Sequence, residues 1–99
     1  MILTTHDRKE LESSVKSAIR EIKVWTDLAR KLIPSQGNVE EFAYGLICGM
    51  VIGAFTERFV GKNSRQPDRD EMADLFLIIR SQMPAVRRAV LNELEACQS

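Results

Sequence analysis

An uncharged run of fifteen residues, from Phe42 to Thr56, constrains the fold of this 99-residue chain more than any other feature. Gly45, Gly49 and Gly53 lie four residues apart within it. Four-residue spacing places the three glycines in one row along an α-helix, where a second helix can approach unusually closely. The other positions of the run are apolar on every side, so this helix needs cover all round. The run therefore predicts a central packing helix.

Three glycines weaken that helix, because each costs about 1 kcal/mol relative to alanine. A total near 3 kcal/mol is a large share of the stability of a small domain. We expect close packing to return this energy at a helix crossing, within the chain or between two copies. The side chains expected to pack around the crossing are Phe42, Leu46, Met50 and Phe55, with Trp25 as a further aromatic anchor of the interface. Leucine at position 49 is expected to lower the melting temperature and disturb self-association.

The spacing of apolar residues predicts four helices and no strand, over 7-33, 39-60, 69-82 and 84-97. The first helix carries an apolar seam with heptad steps, made of Leu11, Val15, Ala18, Ile22, Trp25, Ala29 and Leu32. It opens at Asp7 in a capping-box pattern and ends before Pro34. Asn38 with Glu41 is expected to cap the second helix, and Asp68 with Glu71 forms a capping-box pattern before the third. Pro84 is expected to separate the last two helices, because a residue before proline avoids helical backbone angles. We predict an all-α, four-helix bundle-like fold in a single domain over 1-99.

The composition is that of an ordinary globular protein, with 44% apolar and 28% charged residues. A chain this short buries only about 60–70% of its unfolded surface, so a second copy would help to complete its core. The wide seam of the first helix and the apolar second helix present more apolar surface than their neighbours can cover. We therefore expect a homodimer, since two-fold pairs are the commonest assemblies, and leave a monomeric bundle open.

No catalytic constellation is visible in the sequence. His6 is the only histidine, and no phosphate-binding glycine loop occurs. Cys48 and Cys97 lack metal-ligand spacing and are expected to be structural, in a reducing cytoplasm. The N-terminus has no signal-peptide pattern. The expected function is a small non-catalytic assembly or adaptor protein without a cofactor, which binds a second copy of itself or another protein.

Membrane and nucleic acid are the other classes of partner that the sequence raises. Fifteen uncharged residues fall short of the roughly 20 that a membrane span needs, and Glu57 and Arg58 follow directly. Fourteen basic and fourteen acidic side chains give a net charge of zero, and hence no general attraction to nucleic acid or anionic lipid. The alternative of a dimeric nucleic-acid-binding regulator depends on a local basic cluster of Arg58, Lys62, Arg65 and Arg69.

An acidic set at the start of the third helix is the strongest lead toward chemistry. Glu71 and Asp74 are three residues apart, so both carboxylates can reach one magnesium ion. The string Asp70-Glu71-Met72-Ala73-Asp74-Leu75 resembles the E-x-x-D motif of the MazG-type all-α nucleotide pyrophosphohydrolases. In that family a preceding helix supplies a further E-x-x-E, for which this chain offers Glu57. The resemblance implies a divergent relative with a degenerate Mg²⁺ site at Glu57, Glu71 and Asp74.

Overall fold

The computed structural model describes residues 2–33 and 37–98, with the side chains of the last two of these left aside. These ranges contain four α-helices and no strand: α1 Thr5–Arg20, α2 Ile22–Leu32, α3 Val39–Asn63 and α4 Arg69–Gln98. The predicted all-α class is therefore confirmed. α1 and α2 follow one another as one rod interrupted at a single residue, while α3 and α4 are one rod each. The three rods pack into a bundle measuring 47 × 23 × 18 Å.

α3 runs antiparallel to the other two rods. Its C-terminal end lies beside the start of α1, where Lys62 Nζ is 3.1 Å from Asp7 Oδ1. The short connection over 64–68 turns the chain back into α4. α1 and α4 are parallel to each other, because Arg8 joins Asp74 across their N-terminal parts at 2.7 Å. The bundle is thus up-down-up, with α3 as the antiparallel rod.

The core lies along the line where the three rods meet. α3 contributes a single row at steps of four, and α4 contributes a stripe with mixed steps of three and four. The buried apolar side chains are Leu3 before α1, Leu11, Val15 and Ala18 of α1, Ala29 of α2, Ala43, Ile47, Val51, Phe55 and Phe59 of α3, and Leu75, Ile78, Ile79, Val86 and Val90 of α4. Fully burying each large side chain of this kind stabilises the fold by about 1.5–3 kcal/mol.

The predicted helix over 7-33 is wrong in one respect, because it is interrupted at Glu21. This residue adopts φ −101° and ψ 26°. Its N–H is shared between two carbonyl groups of the preceding turn, each at 3.2 Å. The interruption resets the helix, so α2 buries Thr26 and Ala29. The heptad seam holds through α1 and only in part in α2, where Ala29 is buried, Trp25 is half-buried and Leu32 is exposed.

The predicted separation of helices 69-82 and 84-97 is also wrong, because α4 continues through Pro84. Proline in a helix interior removes one backbone hydrogen bond and crowds the preceding turn, at a cost of about 3 kcal/mol. Ile79 and Val86 are buried on either side of the proline, and Pro84 itself is exposed. Core packing on both sides therefore outweighs the local cost and keeps the helix continuous.

The helix caps agree with the sequence at two of three places. Asn38 caps α3 by accepting a hydrogen bond from the Glu41 N–H at 3.1 Å, as predicted. The box of Asp68 with Glu71 at the start of α4 is also confirmed. α1 begins earlier than predicted, because Thr4 is its N-cap and the predicted cap Asp7 is the third residue of the box. Pro34, predicted to end the first helix, lies outside the described residues.

Candidate functional site

The glycine row of α3 lies on the surface of the bundle. Gly45, Gly49 and Gly53 are all exposed. A Cβ atom added at any of the three would meet no atom of the described chain within 4 Å, its own helix backbone and chain neighbours aside. The predicted crossing within the chain is therefore wrong, since no helix of the same chain approaches this row. A crossing between two copies stays a prediction.

α3 is not enclosed on all sides, contrary to the prediction from its composition. Only 22% of its most apolar 18-residue window is buried. The buried row, 43-47-51-55-59, occupies one side of the helix, and the glycine row occupies another. The rods that pack against α3 cover the side with the buried row and cannot also cover the glycine row. The glycine side is therefore left without a neighbour.

We define the open face of α3 as Gly45, Gly49 and Gly53 together with Phe42, Leu46 and Met50. Met50 is 50% exposed, while Phe42 and Leu46 are half-buried. Phe55 was also predicted here, but it is 1% exposed and packs against Phe59 at a ring-centroid distance of 6.0 Å. Two residues along a helix turn the side chain by about 200°. Phe55 therefore points away from Gly53, into the core.

Exposed apolar side chains on the neighbouring rods add to the uncovered apolar surface, and the sequence predicted none of them to be exposed. Leu28 and Leu32 of α2 are 37% and 57% exposed, and Phe76 of α4 is 52% exposed. Their helical positions resemble those of core residues, so spacing alone gave no signal that they face outward. Uncovered apolar side chains thus occur on all three rods.

α3 is long and apolar enough to cross a membrane, judged by length and composition alone. The helix has 25 residues, ten more than the uncharged run. A mostly buried core helix of a soluble protein passes the same test.

The basic cluster is largely paired with acidic side chains of α1 and α4. Arg58 forms an ion pair with Glu10, and its guanidinium also donates to Ser14 Oγ at 3.2 Å. Lys62 pairs with Asp7, and Arg65 pairs with Glu71 of α4. Arg69 is exposed. A phosphate backbone would therefore compete with existing ion pairs at three of the four predicted nucleic-acid-binding residues.

Glu71 holds together the start of α4 and the connection before it. Its carboxylate accepts two hydrogen bonds from Arg65, at 2.6 and 3.1 Å, and one from the Asp68 N–H at 2.9 Å. Glu71 is 3% exposed. The Arg65 guanidinium, with the backbone N–H, holds the pKa of the Glu71 carboxyl below its usual value, against the opposing effect of burial. Arg65 also lies over the Phe59 ring, 5.1 Å from its centroid.

Asp74 pairs with a different arginine from the one that pairs with Glu71. Both of its carboxylate oxygens accept hydrogen bonds from Arg8 at 2.7 Å, and one also accepts the Leu3 N–H at 3.1 Å. Across the described ranges, no three His, Cys, Asp or Glu side chains form a group that could hold a metal ion. The predicted Mg²⁺ ligands Glu57, Glu71 and Asp74 are therefore not brought together. Magnesium would also have to displace an arginine from each of the last two.

Cys48 fits the predicted structural role. It is half-buried, and its thiol contacts Met83 Sδ at 3.1 Å. Burial raises the pKa of the Cys48 thiol, which disfavours the reactive thiolate. The side chain of Cys97 lies outside the described part of the chain.

Trp25 lines a groove between α1 and α3, of about 510 Å³. Its indole Nε1 is buried and has no hydrogen-bond partner in the part of the chain that the structure describes. An unmade hydrogen bond of a buried donor costs about 1–3 kcal/mol. Trp25 was predicted as an interface anchor, and Met50 of the open face lines the same groove.

We expect acid to destabilise the protein through Glu71 and Asp7. Hydrogen bonds from Lys62 and Thr4 lower the pKa of Asp7 despite its burial. Because both folded pKa values lie below the ordinary 4.5 and 3.8, the stabilisation is fully present above those values and is lost as pH falls through the folded values. Urea unfolding followed by circular dichroism should show midpoints that fall as the pH drops below about 4.5.

Glu71→Gln should remove part of this pH dependence and lower stability at neutral pH by about 1–2 kcal/mol, because the charged acceptor of Arg65 is lost while glutamine can keep the capping box. Glu57→Gln, at an exposed carboxylate of α3, is the matched control and should behave like the parent. An unchanged pH profile for Glu71→Gln would show that this carboxylate does not support the fold.

Comparison with protein families, with curated proteins and with solved structures finds no match to this chain. The function is therefore inferred from the geometry of the chain itself.

Proposed function

We propose that this protein is a small non-catalytic assembly module in which α3 of one copy packs against α3 of a second copy. The observation that carries the proposal is the open face: three glycines in one row, uncovered by their own chain, beside a half-exposed Met50. The assembly is a cytoplasmic homodimer in this proposal, and it needs no cofactor.

Glycine at these three positions gives an isolated copy no packing benefit. Alanine would fit at each without a clash and would strengthen α3 by about 1 kcal/mol per site. The absence of side chains becomes useful when another backbone lies directly against the row, at a right-handed crossing of about −40°. Close approach then adds dispersion contacts and weak Cα–H···O bonds along the row.

A second copy is the simplest partner for this surface. In a two-fold pair the same patch is used on both sides, so each glycine row meets an identical row. Stable pairs bury about 800 Å² per partner. The broad side of the bundle measures 47 × 23 Å, so such a pair must use much of that side. Apolar side chains next to α3, such as Leu28 and Phe76, can supply additional area.

Lipid is a poorer cover for the same surface. Glu40 and Glu41 lie in the first turn of α3, and Glu57 and Arg58 lie within its last part. The rods packed on α3 carry further ion pairs, among them Arg87 with Glu41 at 2.6 Å. Charges at membrane depth cost several kcal/mol each. A protein partner covers the open face without taking these charges out of water.

The two alternatives remain predictions without a specific geometric observation in their favour. The MazG-like alternative needs metal ligands that lie in separate contacts. The nucleic-acid alternative needs basic side chains that are engaged in ion pairs.

The solution mass tests the proposal. Light scattering on detergent-free protein should give twice the chain mass of 11.2 kDa. Met50→Lys should convert the pair to single chains, because it places a charge on the open face. Leu77→Lys is the matched control: Leu77 is more exposed, at 65%, and lies on the outer side of α4. A single-chain mass at high concentration, or recovery only with the bilayer fraction, would contradict the proposal.

A further inference from the structure

The groove between α1 and α3 is long and narrow. Its lining begins at His6 and Lys9 near the start of α1 and reaches Glu21 and Trp25 beyond the end of that helix. Fifteen residues separate His6 from Glu21, which corresponds to about 22 Å along a helix. A volume of about 510 Å³ drawn out over that length suits an extended chain better than a compact ring system.

Small side chains on both facing helices create the groove. Ser14, Ser17 and Ala18 line it from α1, and Ala54 lines it from α3. The floor is apolar, because Val51 is buried there. An α-helix with its side chains is about 10 Å across, which is too wide for a channel of these proportions. The groove therefore fits a single chain of atoms and not a helix of another protein.

The two ends of the groove differ in charge. At the end of the groove near the start of α1, Lys9 is exposed and forms no ion pair with any described residue. Arg58 lies at the same end and is paired with Glu10. Two positive charges and one negative charge leave this end at +1. At the other end Glu21 is negative and lies on the groove. An anionic group is therefore favoured at Lys9 and disfavoured near Trp25.

We propose that this groove binds a single-chain amphiphile with an anionic head group. The head lies at Lys9, and the tail runs over Val51 toward Trp25. The apolar floor supplies the affinity, and the charge difference sets the direction of the ligand. The groove is built within one copy, so this inference does not depend on the proposed self-association. Met50 borders both surfaces, and the solution mass is therefore measured alongside binding.

Trp25 makes binding directly observable, because it is the only tryptophan of the chain and lines the groove. The probes are octanoate, decanoate and dodecanoate, each titrated below its micelle concentration. We expect a saturable change in Trp25 fluorescence. Affinity should rise about fourfold for each methylene added, because the tail is transferred from water to an apolar floor.

Two kinds of variant separate the tail from the head. Ala54→Leu fills the groove from α3 and Ser17→Leu fills it from α1, and each should abolish the fluorescence change while helicity is retained. Lys9→Gln should weaken dodecanoate binding by up to about fivefold and leave dodecanol unaffected. Lys16→Gln is the matched control, since Lys16 is an exposed cation of α1 outside the groove.

Three results would overturn the proposal. One is the absence of any saturable signal with dodecanoate. Another is equal affinity for dodecyltrimethylammonium, whose head group has the opposite charge. The third is binding that survives in both folded groove-filling variants, which would place the ligand elsewhere on the protein.

Discussion

Gly49→Leu should abolish self-association while each chain remains folded. Gly49 is the middle glycine of the open face, and a leucine there holds the second backbone several ångströms away. Chain neighbours and the helix's own backbone aside, no described atom of the same chain lies within 4 Å of the added Cβ, so the side chain starts into open space in one copy. Sedimentation equilibrium should show single chains for the variant at concentrations where the parent is paired.

Gly49→Ala should weaken self-association as well, but less than Gly49→Leu does. Alanine favours helix over glycine by about 1 kcal/mol, so dilute protein should melt about 4–8 °C higher than the parent. Association should weaken at the same time. The lower melting temperature that the sequence predicts for Gly49→Leu is therefore expected only where two copies are paired, because no helix of the same described chain packs on this row.

Gly61→Ala is the matched control for these variants. Gly61 is also an exposed glycine of α3 with open space around it, and it lies outside the open face. This variant should gain stability without losing association. If Gly49→Leu keeps the parent mass, the two copies do not meet at the glycine row.

Pro84→Ala should raise the free energy of unfolding by about 2 kcal/mol. The substitution restores an N–H group inside α4 and removes the crowding of the preceding turn, worth about 3 kcal/mol. Loss of the rigid proline from the unfolded chain offsets up to about 1 kcal/mol of that gain. Thermal unfolding of dilute protein should move upward by roughly 10 °C or more.

Pro67→Ala provides the control, because Pro67 lies in the connection before α4 and removes no helical hydrogen bond. Its removal should lower stability slightly through the unfolded state. A neutral result at Pro84 would favour the predicted hairpin, in which proline occupies the first turn of a separate helix.

Local rules predicted the helices but not their joints. Asn38 and Asp68 were identifiable as caps because capping depends on residues three apart. The interruption at Glu21 carries no glycine or proline and left no local signal. At Pro84 the local signal was strong, yet burial of Val86 and its neighbours outweighed it. Packing between residues far apart in the sequence therefore determines where each rod ends.

The sequence identified most residues of the candidate site, but not the side of α3 on which each of them lies. The glycine spacing identified the row, but a helix that is apolar all round does not reveal which side meets its own core. Phe55 was misplaced for this reason. The ion pairs of Arg58 and Lys62 join residues 48 and 55 positions apart, and such distances leave no trace in a single sequence.

The single irregular residue between α1 and α2 shifts the inward position at the start of α2 by one residue, while Ala29 keeps its predicted buried place. In an unbroken helix Trp25 would follow Ala18 at one heptad and point inward beside it. The reset gives the inward place to Thr26, whose hydroxyl is satisfied by the Lys23 carbonyl at 3.1 Å. The indole lies half-buried against the core as a result, on the lining of the groove. One backbone irregularity has thus equipped the chain with an intrinsic optical probe where its two uncovered surfaces meet.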